Sequence, residues 1–564
     1  MADRRRISGV PVEMGYFNLG QYSWRISTGS NEAQTWFDRG LNWTYGYNHE
    51  EAITCFEKAA AADPGCAMAL WGIAYAAGPN YNLPWHLYDP KGRAKALARA
   101  HDATQTASGL LDGASALERR MVAALTARYP QRDPIDDLMP WNAAYTGEMR
   151  KVLDEFPGDL DVRAVFVESI MNETPWRMWD LRTGSVAEGA GTLEAMEALD
   201  RAFRTMPESW DHPGLLHLYV HLLEMSPFPE RALRQGDRLR HLMPDSGHLI
   251  HMPTHIDVLC GNYRDVVVYN EQAIAADRKF LKERGALNLY SSYRIHNYHF
   301  AIYGAMFLGQ FTPAMAAAHE LIDTVPEELL RIESPPMADF VEAYLGMKQH
   351  VLIRFGKWQD IIDQDLPDDR TLYSATTAMM LYAKTVAYSA IGNVKEAEAT
   401  RDAFRAHRPA VSKRRRVHNN TVLDLLDIAE EMMDGELEYR KGHFDVAFDH
   451  LRRSVELDDA LPYDEPWGWM QPARHALGAL LMEQGHFEEA EAVYRADLGL
   501  DATLSRACQH PKNLWSLHGL HECLRRRGEV VEALHIEQQL DQAAARAEVA
   551  IHSSCFCRRT RDAA

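Results

Sequence analysis

Histidine is the residue type through which this sequence could do chemistry. The chain has 25 histidines in 564 residues, and several crowd into HPGLLHLYVHLLE and HLIHMPTHI, between His212 and His255. His217 and His221 are four apart, as are His251 and His255, and the second pair follows the first by 34 residues. One further interval of that length, plus a 14-residue insertion, leads to HNYH with His296 and His299. Imidazoles at i and i+4 converge one turn apart on a helix, a good spacing for a shared metal ion. A lone HxxxH is ordinarily a surface or core feature. Two pairs at a fixed interval, with two more histidines on a third helix, favour a bound transition metal on His217, His221, His251, His255, His296 and His299.

Imidazole-rich ligation suits copper, iron, zinc or nickel better than magnesium or calcium. Copper or iron comes first here and zinc second, because no cysteine accompanies the histidines as a closed structural zinc site would need. Two arrangements stay open: one ion with a free coordination position, or a dinuclear pair held largely by histidines. Glu224, one turn beyond His221, is a candidate ligand or catalytic base. Tyr293, Glu168 and Arg474 are candidate contacts for a small-molecule substrate. Glu168 stands on an otherwise apolar helix (VFVESIM), where burial would raise its pKa. Cys555 and Cys557 form a thiolate pair in a basic, polar segment that reads first as a flexible tail. If the chain curls closed, that tail could plug its lumen.

The elements that must position these groups are helices. Trp36, Gly40, Trp43, Ala52, Phe56, Ala59 and Pro64 match positions 4, 8, 11, 20, 24, 27 and 32 of a 34-residue tetratricopeptide unit. Large and small residues alternate so that paired helices approach closely. Later units are marked by Gly-x-[Tyr/Phe/Trp/Val] turns at Gly261, Gly309, Gly356, Gly392, Gly442, Gly485 and Gly528. Aligned on such units, His217, His251 and His299 fall at position 5, His221 and His255 at position 9, and His248 and His296 at position 2. Positions 2, 5, 9 and 12 span an arc of about 80°, away from the packing positions 4, 8 and 11.

No β-type alternation appears. The expected fold is therefore all-α: a right-handed solenoid of about ten helical pairs with few or no strands. The divisions are an irregular arm over 1–31, loosely periodic helical repeats over 32–205, central histidine-rich units over 206–330, further repeats over 331–545, and the tail over 546–564. The first repeat, the central HPGLLHLYVHLLE and GHLIHMPTHI, YRIHNYHF and the late LPYDEPWGWMQPARHALGALL together resemble a group of microbial tetratricopeptide-repeat proteins. In that fold the helix face carrying the histidines lines a concave groove. The resemblance implies the fold and supplies no reaction.

Composition excludes several classes. A net charge of −20 argues against nucleic-acid or anionic-membrane binding. The one basic run, Lys413 to Arg416, reads as a solvated loop. No apolar stretch approaches the ~18 residues of a membrane helix, and MADRRRISG has no apolar segment behind it. Seven scattered cysteines suit a reducing cytoplasm. Two functions compete: an oxygen-using metalloenzyme, with zinc-dependent hydrolysis or lyase chemistry as its variant, and a peptide- or protein-binding scaffold. A protein partner or a second copy would use the solenoid's surfaces.

Overall fold

Phe56 shows why the first repeat folds as it does. In this computed structural model, which describes residues 15–559, its ring sits between Gly40 of helix Asn31–Tyr45 and Gly72 of helix Ala67–Ala77. A Cβ at Gly40 would lie 2.7 Å from the ring, and one at Gly72 would lie 2.5 Å away. Three helices thus meet on one aromatic side chain. Gly72→Ala gains up to about 1 kcal/mol of helix propensity but overpacks the contact at about 1–3 kcal/mol. A net loss of about 1–2 kcal/mol is expected by denaturant unfolding; an unchanged midpoint would contradict this packing.

Helix pairs continue along the chain. The seven glycines expected at turns all adopt left-handed φ, from 61° at Gly356 to 85° at Gly392, the conformation that ends a helix at little cost to glycine. The architecture is an all-α solenoid. Its only strands among the described residues are Arg416–Val417 and Asn420–Thr421, paired antiparallel with Arg416 opposite Thr421. No described helix is long and apolar enough to cross a membrane.

The solenoid curls until distant repeats touch. Arg284 pairs with Glu51 at 2.7 Å, Ser334 donates to Asp89 at 3.0 Å, and Trp515 Nε1 donates to the Met306 carbonyl at 2.8 Å. One contiguous apolar core runs from Phe17 to Cys557. The N-terminal arm is irregular where described, but Phe17, Leu19, Trp24 and Ile26 are buried in that core.

Two sequence expectations need correction. The tail is not free: Ser553, Ser554, Cys555 and Cys557 are buried, Tyr494 and Ser554 share a 2.7 Å hydroxyl contact, and Ser554 Oγ donates to the His475 carbonyl at 2.8 Å. The basic run is only partly solvated. Lys413 and Arg414 are exposed, whereas Arg415 is buried against Asp339 (2.8 Å) and Glu342 (3.2 Å). Those carboxylates lie far back in sequence, so the run gives no sign of them.

Candidate metal centre

The central histidines are buried and converge in two sets. Helix Pro213–Glu224 carries His217 and His221 and is buried along its whole length. Segment 247–259 forms two short helices, Gly247–His251 and Pro253–Leu259, because Pro253 has no N–H to donate. Met252 between them keeps helical angles (φ −50°, ψ −41°), so His251 and His255 still face the same way. Helix Tyr290–Phe307 supplies His296. His217, His221 and His248 place one ligand atom each within 4.8 Å of one another, and His251, His255 and His296 do the same.

The ring tautomers follow from the outer partners. His217 Nδ1 lies 2.8 Å from the Tyr45 carbonyl, which can only accept, so the proton is on Nδ1. Asn270 donates its amide to the Val266 carbonyl (2.7 Å) and to Thr254 Oγ1 (3.0 Å). Its oxygen therefore faces His251 and accepts from Nδ1–H at 2.8 Å. His221 Nδ1 donates to Glu224 Oε1 at 2.9 Å. His255 Nδ1 lies 2.9 Å from Glu224 Oε2 and 3.4 Å from Glu465 Oε2, near two carboxylates but in hydrogen-bonding geometry with neither.

These partners leave Nε2 bare on His217, His221 and His251. Yet the Nε2 atoms of His251 and His255 are 3.0 Å apart, and those of His217 and His248 are 3.2 Å apart. His248 has no partner at Nδ1 and can turn its proton toward His217. His251 and His255 can share one proton between them in the same way, or direct both Nε2 atoms, with His296, at a metal ion. Burial pushes both imidazoles down to about 3, with neighbouring imidazoles adding to the effect, so neither carries a charge at neutral pH. His221 is pushed to about 3 for the same reason, and His217, His248 and His296 fall well below their ordinary value. A transition metal fits. Two nitrogens bound tetrahedrally at ~2.0–2.1 Å stand about 3.3 Å apart.

Glu224 sits between the sets, fully buried, with one oxygen on a histidine of each. That places it as an orienting carboxylate of the kind that fixes a metal-bound imidazole. Glu224→Gln keeps the shape but faces the two histidines with one acceptor oxygen instead of two. A 10–100-fold loss of metal affinity is expected, reaching both sets. A chelator-competition titration measures it, and an unchanged affinity would remove Glu224 from the centre.

Backbone strain gathers at the same place. Tyr47, Trp176 and His418 have φ of 54°, 59° and 49°. Left-handed angles cost a non-glycine residue of order 1–3 kcal/mol and persist where the surroundings impose them. Tyr47 packs on His217 (4.6 Å between centroids), Trp176 on His221 (5.8 Å), and His418 stacks on His296 (5.3 Å). His418 holds the first central position of the small hairpin, ordinarily a glycine position. Its Nδ1 bonds to the buried Asp464 at 2.6 Å. A cavity of about 90 Å³ opens beside it, lined by Tyr293, His296, Tyr344, Arg416 and His418. Tyr293 also borders a neighbouring cavity of about 230 Å³.

Five of the six histidines expected at the centre are in the two sets. His299 is not: its Nε2 points to Met470 Sδ at 2.9 Å, and its ring meets Tyr344 edge-on. His296 takes the third position instead. His248, noted on the same arc but not assigned as a ligand, completes the first set. Tyr293 lines the cavity as expected. Glu168 is buried and accepts from the Tyr75 hydroxyl without lining the cavity. Arg474 is engaged by Asp459 at 2.6 Å, away from the histidines. Glu465, Asn270, His418 and Asp464 were missed. Glu465 stands in the YDEPWGWMQP stretch, whose density of aromatic and acidic residues was its one visible signal.

No family model matches the sequence, and no curated protein matches it. Among solved structures, it aligns with the APC/C hetero-tetramer Cut9–Hcn1 at 12% identity, over 87% of this chain and 76% of that one, with a TM-score of 0.30. It aligns with the human IFIT1 dimer with m7Gppp-AAAA at 13% identity, over 85% and 90%, with a TM-score of 0.31. For yeast Tom70 the values are 12%, 90%, 96% and 0.26.

Proposed function

We propose that the central repeats hold a transition metal, as one ion or a dinuclear pair, and use it in the oxygen-dependent oxidation of a small molecule. The observation that carries this reading is the convergence of two buried three-histidine sets, His217 with His221 and His248, and His251 with His255 and His296. Two adjacent all-histidine sets favour copper or iron over a hard cation. The bound metal would supply redox or Lewis-acid chemistry. The chain's own part is to hold six imidazoles neutral, orient two of them through Glu224, and exclude bulk water. The cavity beside His296 suits a small substrate. There Tyr293 and Tyr344 give flat surfaces, and His418, held by Asp464, lines the wall with its imidazole.

The rival reading, a peptide- or protein-binding scaffold without catalysis, rests on the architecture itself. Helix-pair repeats present long continuous surfaces and need no buried site to bind a partner. It asks less of the molecule than the metal reading, and the buried imidazoles play no part in it. Chain reconstituted with copper, iron or zinc separates these readings. Copper- or iron-loaded protein is expected to consume dioxygen, with ascorbate as electron donor, faster than the free metal or a His251→Ala variant. Metal uptake without dioxygen consumption would favour zinc-type hydrolysis or lyase chemistry. No uptake of any metal would favour the scaffold.

A further inference from the structure

Cys555 and Cys557 are in the buried tail, and both face helix Val422–Lys441 at Glu436. Their sulfurs and one Glu436 carboxylate oxygen lie within 4.8 Å of one another, and all three residues are buried. Glu436 Oε2 makes no hydrogen bond, its cation partner Arg440 Nη2 standing 3.9 Å away, and the residue is only 1% exposed. A second carboxylate, Glu483, is near enough to act on it, and Glu483 Oε2 also lacks a partner. Burial and this neighbour push Glu436 up to about 7, opposed by Arg440. Leaving such groups unsatisfied inside a protein is costly.

We propose that, when the cysteines are reduced, Cys555, Cys557 and Glu436 form a second metal site for a zinc-class divalent cation. The mixed sulfur and oxygen donors suit a borderline ion such as zinc better than a purely soft ion. In the structure the two cysteines are joined as a disulfide. One equivalent of a phosphine, with one water, converts that bond to two thiols and is itself oxidised to the phosphine oxide. Cation binding then displaces the two thiol protons to solvent. The site shares no residue with the histidine centre.

The tail is built to be held there. Arg354 Nη2 and Arg440 Nη2 reach the carbonyls of Ser554 and Cys557, Phe556 packs on Trp515, and Arg559 donates to the Ala390 carbonyl at 2.9 Å. An ion at this point would tie the end of the chain to helix Val422–Lys441 without a covalent bond.

Cobalt(II) is the probe, added to the full-length chain reduced with a non-coordinating phosphine. One equivalent is expected to give a thiolate-to-cobalt charge-transfer band in the near ultraviolet. The band should be absent from the oxidised chain, which needs no mutation and so controls for folding, and from Cys557→Ser. Glu436→Gln should weaken binding by about tenfold or more, the least that loss of even an outer partner costs. Reduced chain without the band, or a band unaffected by oxidation, would overturn the site. Histidine-bound cobalt gives no thiolate band. A filled histidine centre without that band would therefore sink this proposal and leave the other intact, and the converse holds.

Discussion

Replacing His251 by alanine is expected to raise the metal dissociation constant by more than about 100-fold, beyond the 10–100-fold cost of losing an outer-shell partner. The change removes one of two nitrogens that face each other at 3.0 Å and leaves Asn270 Oδ1 without its donor. The clearest readout is the stabilisation conferred by metal, because it cancels whatever the substitution does to the metal-free fold. At a free metal concentration of about 100 times Kd, binding stabilises by about 2.7 kcal/mol. A 100-fold weaker site keeps only about 0.4 kcal/mol of that. Thermal unfolding with and without metal would show the difference. A variant that keeps the full gain would mean the cation is held elsewhere.

Glu168→Gln is expected to stabilise the metal-free chain in a pH-dependent way. Burial raises the Glu168 carboxyl from 4.5 to about 8. Between those values the folded chain keeps a proton that the unfolded chain releases, so this group's contribution falls as pH rises. Glutamine does not titrate. Its advantage over glutamate should therefore grow by about 1.4 kcal/mol per pH unit from 4.5 to 8, roughly 5 kcal/mol in all, and be flat outside that window. The Tyr75 hydroxyl bond adds an offset that does not vary with pH. Denaturant unfolding at several pH values checks the slope, and a pH-independent difference would contradict it. At neutral pH Glu168 is then a carboxylic acid held near Tyr47 and Tyr293, able to donate a hydrogen bond as a carboxylate cannot.

The sequence carried the repeats well because their grammar is local. Gly40, Ala52 and Phe56 pack against each other within one helix pair, and the turn glycines adopt the backbone angle that each turn needs. The common face of His217, His221, His251 and His255 was legible for the same reason. Helical periodicity ran out at the third helix. His296 and His299 differ by about 60° around it, and only the tertiary rotation of that helix decides that His296 enters the centre while His299 turns to Met470. The outer partners were harder still. Asn270 stands on a different helix, Glu465 and Asp464 more than 200 residues beyond His255, and His418 on a hairpin too short to show as strand alternation. Arg474 pairs with Asp459, 15 residues back on another helix, and helical periodicity gives no sign of that partner.

Elemental analysis of the purified full-length chain, after incubation with each of copper, iron and zinc and removal of loosely bound ions, tests the centre most directly. The geometry predicts at least one tightly held copper or iron ion per chain, and two if both three-histidine sets fill. It also predicts loss of one ion on His251→Ala with the fold retained. A chain that stays metal-free under all three conditions, with His251→Ala indistinguishable from it, would contradict a metal centre and return the buried imidazoles to packing.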